Sequence, residues 1–409
     1  MEQRKYRLAN KSIFLAAYCV LLVSRILVLT DSYTWRIDPV ELELVYLVAT
    51  VFLALTSRYG KFRMARGVHW FVFGALLAHT LLWGVMFVDA RFANLITSQF
   101  KSQIMFVVIT IVTVLAVYQF DVAREFLKCC YYTLAAMLIY YFLKNFSQLD
   151  LSNLANIMTA SERTRANFGF GHYNTLGATC VCGIFLWDVV RKDHHTLPMK
   201  VMDGAILVVL VCMLLASASR SALTSLVVYY FVYFSWQMDE WSISKKVIRA
   251  IKLCRNALIA AMVAWVVLEA NYTALLELSQ RTLLFTHALP MFFSTDKIWM
   301  GLGYASNVAY ATRQTPYLTY WLDNAYIYYL ITTGIVGCAL LMVATFVLGK
   351  ELYRRTNLPI GKETIAAFAV QLYASLFEVA LFNSGLIVNY IYLPWFLIYI
   401  SRKRKTETS

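Results

Sequence analysis

One aspartate and five arginines are the residues in this sequence best suited to chemistry. Asp323 and Asn324 stand where a long polar stretch runs into an apolar one that continues to about Leu348. Either residue suits the start of a helix, because a short side-chain oxygen accepts from the free N–H groups of the first turn. Capping is therefore one reading of Asp323, and a chemical role for its carboxylate is the other. Arg163, Arg165, Arg220, Arg281 and Arg313 all fall in segments that the charge pattern places on the outer face of a membrane. Taken singly, each reads equally well as an arginine snorkelling to the lipid headgroups. Taken together they read as an anion site, since a guanidinium fork matches phosphate oxygens in a bidentate way that lysine does not. Few lysines (Lys101, Lys144, Lys297) share those segments. The group would suit a diphosphate, and a lipid diphosphate would present its head on that face.

Three further side chains are singled out by position. Glu378 lies within an apolar run, where a carboxylate is a functional candidate by default and otherwise an ion-pair partner, for Arg25 or Arg220, that holds the bundle together. His79 sits mid-helix, as an interhelical hydrogen-bonding group would. His172, in the polar stretch Ser161–Asn174, reads equally as a substrate contact or as a loop-packing residue.

The elements that carry these residues are membrane helices. The 409-residue chain is 60% hydrophobic and only 15% charged, with mean hydropathy +0.60. A soluble protein of this length could not bury so much apolar surface, so the chain reads as an all-α, polytopic membrane protein in one domain. A bilayer crossing needs roughly 17–25 mostly apolar residues. Twelve segments qualify, at about 13–30, 40–57, 67–89, 103–120, 126–143, 174–190, 202–218, 221–237, 248–268, 324–349, 362–382 and 386–401. The seventh and eighth are divided only by Ser217-Ala-Ser-Arg-Ser221. The first has a basic start but no small-residue cleavage site behind it, and is read as a retained helix.

Lysine and arginine set the orientation. Arg4, Lys5, Arg7 and Lys11 at the N-terminus begin a series continued in alternate loops. Those loops hold Arg58–Arg66, Arg124 and Lys128, Arg191–Lys200, Lys245–Arg255, Lys350–Lys362 and Arg402–Lys405, and with the N-terminus they hold most of the 37 basic residues. That side is the cytoplasm, with both termini on it. The net charge of +14 then follows from topology and contact with anionic lipid, and leaves no call for nucleic acid. The eight cysteines avoid the outer loops, which argues against a disulfide framework, and Cys180 and Cys182 lack neighbouring ligands for a metal. Two long loops lie outside, at about 144–173 and 269–323. Within the second, Tyr272 to Leu289 interleaves leucines with Glu277, Gln280, Arg281 and His287 and stops at Pro290, as expected of an amphipathic helix lying at headgroup level.

Four stretches in order resemble the O-antigen ligase / O-antigen polymerase (Wzy-type) family of bacterial membrane glycosyltransferases. They are Gly169-Phe-Gly-His-Tyr-Asn-Thr-Leu-Gly177, Ser217-Ala-Ser-Arg-Ser-Ala222, Arg281 followed by Gly301-Leu-Gly-Tyr304, and Asp323-Asn-Ala-Tyr-Ile-Tyr-Tyr-Leu with Thr333-Gly-Ile-Val-Gly337. The resemblance spans about residues 165–337. Ligases of the family usually carry His where this chain has Asp323, and that departure points toward a polymerase.

The resemblance implies a GT-C-like arrangement in the bacterial cytoplasmic membrane, with the active site on the outer face. It implies a glycan donor on undecaprenyl diphosphate and a second lipid-linked repeat unit as acceptor, with a chain-length regulator and a flippase as partners. Arg220 and Arg281 would stabilise the departing diphosphate, and Asp323 would take the proton from the acceptor hydroxyl. Arg163, Arg165, Arg313, His172 and Asn324 would line the same mouth. Tyr304, Tyr320, Trp321 and Tyr326 would stack on sugar rings, or else form an aromatic interface belt. No Asp-x-Asp pair occurs, so neither a nucleotide-sugar donor nor a catalytic metal is expected, and no cofactor. A single base suggests one displacement, with inversion. The alternatives within reach are a ligase using another acceptor and a flippase. Against the flippase stand the lack of an internal repeat and the gathering of polar groups at the outer mouth rather than the midplane.

Overall fold

The computed structural model describes residues 2–30, 39–56, 67–85, 93–151, 165–238, 289–294, 296–301, 303 and 324–401, with a few isolated positions in 244–253. The regular secondary structure of the described residues is helical, without a β-strand. The helices are α1 (Glu2–Val28), α2 (Pro39–Thr56), α3 (Gly67–Val85), α4 (Ala93–Phe120), α5 (Ala123–Lys144), α6 (Tyr173–Val190), α7 (Leu197–Ser217), α8 (Arg220–Gln237), the five-residue α9 (Leu289–Phe293), α10 (Ala325–Tyr353), α11 (Gly361–Ala374) and α12 (Ile387–Ile400).

Six of these are long and apolar enough to cross a bilayer: Ala9–Val28, Phe100–Phe120, Ala123–Lys144, Tyr173–Asp193, Leu197–Ser217 and Ala325–Tyr353. This is a polytopic membrane protein. Gly67–Leu82 and Ile387–Ile400 are apolar but shorter. Nearly all of the expected span at about 248–268 and of the expected surface helix from Tyr272 lies outside the described residues.

The sharp turn between α7 and α8 falls where the serine-rich stretch placed it. Ala218 takes up the left-handed conformation (φ 47°), and Ser219 caps α8 by accepting from the Ala222 N–H. The expected span over 362–382 is instead cut short. Helix α11 stops at Ala374 and the chain runs irregularly from Ser375 to Leu386 before α12 begins. Irregular backbone at membrane depth persists only where protein groups satisfy it. Here Gln103 donates to the Phe382 carbonyl (2.9 Å) and accepts from the Ser384 N–H (2.9 Å). Asn389 donates to the Asn383 carbonyl (2.7 Å), and Gln371 and Tyr329 donate to the carbonyls of Ala380 and Leu381.

Helix α12 is the centre of the bundle. All its residues are buried, and it touches α1, α4, α5, α6, α10 and α11. A helix apolar on every side belongs in such a place. Its 14 residues span about 21 Å, short of a hydrocarbon core of about 30 Å. Beside α12, Arg25 of α1 pairs with Glu43 of α2, and Tyr390 donates to Glu43 (2.8 Å). The intrahelical arginine thus has Glu43 as an ion-pair partner, which fits the rule that ionisable groups inside a bundle pair with one another.

Candidate functional site

The close approach of α6 to the α7–α8 turn builds one side of the site. A Cβ on Gly177 would stand 2.8 Å from the Ala222 Cβ and 3.0 Å from the Ser219 Cβ. Only glycine permits this contact, and it brings Asn174, one turn earlier, against the serines. The Ser219 hydroxyl donates to the side-chain oxygen Oδ1 of Asn174 (2.9 Å) and lies 3.2 Å from the Ser221 hydroxyl. The Asn174 amide in turn donates to Glu378 Oε1 (2.6 Å). A small cavity of about 50 Å3 opens beside this chain, lined by Asn174, Ser221, Ser225, Gln371, Glu378 and Tyr392 among others. It has room for a few waters and not for a sugar.

Arg220 lies between the two serines, half-buried, as the first residue of α8. Arg165 lies close enough for the two guanidinium charges to repel, and its own guanidinium stacks 4.1 Å from the centre of the Tyr173 ring. The strand-like approach to α6 is fixed on both sides. The Ala166 N–H donates to the Ala216 carbonyl (3.0 Å), and the Gly171 N–H donates to the Leu29 carbonyl (2.8 Å). His172 is the cap of α6, its Nδ1 accepting from the Asn174 N–H at 3.2 Å.

The other side of the site is the start of α10. The residue that caps it is Asn324, whose side-chain oxygen accepts from the N–H groups of Tyr326 and Ile327, both at 3.0 Å. The N-cap position with its two bonds thus belongs to the residue after Asp323, which itself lies outside the described residues. Asn324 also donates to the Leu376 carbonyl (3.0 Å), the Ala325 N–H donates to the Ser375 carbonyl (2.8 Å), and the Tyr326 hydroxyl donates to the Leu372 carbonyl (2.9 Å). The tyrosine hydroxyl is therefore engaged with α11.

The turn at 375–378 therefore joins the two sides. It accepts from Asn324 and Ala325 through its carbonyls, and from Asn174 through Glu378. In this way the neighbour of Asp323 and the neighbours of Arg220 are tied to one four-residue turn, although the two motifs stand about a hundred residues apart. Glu378 takes part by a hydrogen bond to Asn174, and the Arg25 pairing expected as one option is met by Glu43 instead.

The glycine motifs meet at a second place. Helix α10 breaks at Gly334, whose φ of 67° and ψ of −172° are not helical. The segment 296–303 fills the break. The N–H groups of Ile335 and Val336 donate to the carbonyls of Ile298 (3.0 Å) and Trp299 (3.1 Å), and the Gly303 N–H donates to the Thr332 carbonyl (2.9 Å). A Cβ on either Gly301 or Gly334 would strike the backbone of the other segment. Gly301, Gly303 and Gly334 all have positive φ, which glycine adopts without steric cost. The loop segment that contains Gly301 is thus laid into α10.

Arg165, His172, Arg220, Asn324 and Tyr326 are among the described residues. Asp323, Arg163, Arg281, Tyr304, Arg313, Tyr320 and Trp321 lie outside them. Sequence reasoning missed the turn at 375–378 and the amides that support the stretch after it. Its signal was the presence of Gln371, Asn383 and Asn389 in otherwise apolar sequence. A scan against protein-family models gives no match for this chain, and a search of curated proteins gives none either.

Proposed function

We propose that the chain is a polysaccharide polymerase of the outer face of the bacterial cytoplasmic membrane. It transfers a growing glycan from undecaprenyl diphosphate to a lipid-linked repeat unit. The observation that carries this reading is the turn at 375–378, which ties the segment beside Asp323 to the Ser219-Arg220-Ser221 junction. A base and an anion-binding arginine on separate elements are what transfer from a lipid diphosphate requires. In this reading the segment at about 248–268 completes twelve spans in a GT-C-like arrangement, with both termini cytoplasmic.

The acceptor hydroxyl oxygen attacks the anomeric carbon as the bond from that carbon to the diphosphate oxygen breaks. The electron pair leaves with the diphosphate, where Arg220 and Arg165, together with Arg281, offset the charge that develops. The acceptor proton goes to the Asp323 carboxylate. With one carboxylate acting as base, a single displacement inverts the anomeric centre. Asn324 holds the start of α10, next in sequence to Asp323.

The test is Asp323→Asn in purified, reconstituted protein supplied with a lipid-diphosphate-linked repeat. Because the helix is capped by Asn324, this substitution leaves the cap in place. Polymer formation should fall roughly 100-fold or more, the usual contribution of a positioned base, while donor binding persists. Near-parental rate and polymer length would remove Asp323 from the mechanism.

The rival reading is a flippase for the same lipid-linked glycan. Broken membrane helices recur in transporters, where freed backbone groups face a substrate cavity. In α10 the N–H groups of Ile335 and Val336 beyond Gly334 are bonded to Ile298 and Trp299 carbonyls, which makes the break a packing device. Transbilayer movement of the lipid-linked repeat without polymer growth, in vesicles holding this protein alone, would support the flippase and overturn the polymerase.

A further inference from the structure

At the end of the bundle opposite the candidate site, a cavity of about 770 Å3 opens between the end of α8, the end of α10 and the start of α11. Its volume lies within the range of small-molecule sites, roughly 300–1,000 Å3. Four cations line it, Lys192, Arg354, Arg355 and Lys362, against one carboxylate, Glu363. Lys192 is paired with Glu363, and Glu351 beside the cavity accepts from both Arg354 and Arg355. Counting Glu351 with the lining groups, positive charge still exceeds negative by two.

The wall is rigid. The loop after α10 folds back so tightly that a Cβ on Gly361 would strike the Thr356 and Arg355 carbonyls. Tyr399 of the central helix α12 donates to the carbonyls of Arg355 (2.9 Å) and Leu358 (3.2 Å). Arg355 is 4% exposed, and its Nε is a buried donor with no hydrogen-bond partner. Buried guanidinium donors are normally satisfied, and an orphan in a cationic cavity marks a place for an acceptor. The cavity also takes in the first turn of α11, where the helix dipole favours negative charge.

We propose that this cavity binds a phosphate oxyanion, presented by the headgroup of an anionic phospholipid or by soluble phosphate. The charge pattern places it in the cytoplasmic leaflet, where anionic headgroups meet basic pockets between membrane helices. The site is separate from the outer mouth and holds whatever reaction occurs there.

The experiment titrates the full chain in detergent with dioleoylphosphatidylglycerol, dioleoylphosphatidylcholine and millimolar inorganic phosphate, and follows bound lipid by native mass spectrometry. The parent should retain phosphatidylglycerol over phosphatidylcholine. An Arg354→Ala/Lys362→Ala variant should lose that preference by roughly tenfold or more, as expected for lost charge-assisted contacts. Lys200→Ala, an exposed cation on the first turn of α7, should keep it. Lys362→Ala alone leaves the Arg354 and Arg355 pairs with Glu351 intact and serves if the double variant fails to fold. Phosphatidylglycerol that resists inorganic phosphate identifies the lipid as the source. Displacement by inorganic phosphate, lost in the same variants, identifies soluble phosphate. Equal phosphatidylglycerol retention by parent, pocket variants and Lys200→Ala overturns the proposal.

Discussion

At the scale of single residues, the distinction that matters is between Asp323 and Asn324. Both side chains suit an N-cap, and their adjacency leaves the assignment open in sequence. The two bonds from Tyr326 and Ile327 N–H groups give the cap to Asn324. Arg220 carries the companion prediction. If it grips phosphate oxygens through a planar fork, Arg220→Lys keeps the charge and loses the geometry. Affinity for an undecaprenyl-diphosphate analogue should drop roughly tenfold or more, the equivalent of a charge-assisted contact of about 1.5–3 kcal/mol. Equilibrium binding to the folded variant measures this directly, and parental affinity would move the phosphates away from Arg220.

At the scale of elements, glycine decides how closely two pieces of backbone approach. Gly177 lets α6 lie against the α7–α8 turn, and that contact positions Asn174 and the serines around Arg220. Gly177→Ala should therefore cost about 1–3 kcal/mol, as overpacking usually does, and should lower the thermal midpoint together with donor affinity. Gly74 of α3 has nothing within 4 Å of an added Cβ, so Gly74→Ala is the matched control and should leave both unchanged. Equal midpoints for the two variants would mean that α6 can shift without consequence. The break in α10 belongs to the same class. There Gly334 and Gly301 allow the segment 296–303 to satisfy the N–H groups that a helix interruption sets free.

At the scale of the whole molecule, two predictions concern how the bundle sits and what holds it. The alternation of basic loops predicts that 269–323 lies outside and both termini inside. In a Cys-free background, a cysteine in place of Ser306 should be labelled in intact cells, and one in place of Ser409 only after the membrane is opened. The reverse pattern would invert the topology and with it the face proposed for chemistry. The Arg25–Glu43 pair joins α1 to α2 beside the central helix, with Glu43 fully buried. Arg25→Met leaves an isolated carboxylate in an apolar bundle and should destabilise the fold by about 3–5 kcal/mol. Arg25→Met with Glu43→Leu should recover most of that loss, because both desolvated charges are gone. Detergent-resistant thermal midpoints of the two variants would show it, and equal losses would mean that the pair is not the coupled unit described.

The sequence by itself determined the class of molecule, the positions of most helices and the separation of α7 from α8. Those features depend on quantities each residue carries with it. Transfer of a side chain into lipid, the cost of a buried charge and the capping habit of serine are the same wherever the partner lies. The tertiary structure alone decided that α11 ends at Ala374, that Asn324 holds the cap, and that the turn after α11 joins the two halves of the candidate site. The apolar run over 362–382 reads as one span, since an irregular stretch can be as hydrophobic as a helix, and Gln371, Asn383 and Asn389 do not by themselves say where it breaks. What permits it is a set of amide and hydroxyl groups from Gln103, Tyr329, Gln371 and Asn389, which meet its backbone from other parts of the chain. Satisfying a broken backbone inside a membrane requires partners distant in sequence, and such partners are brought together only when the helices pack.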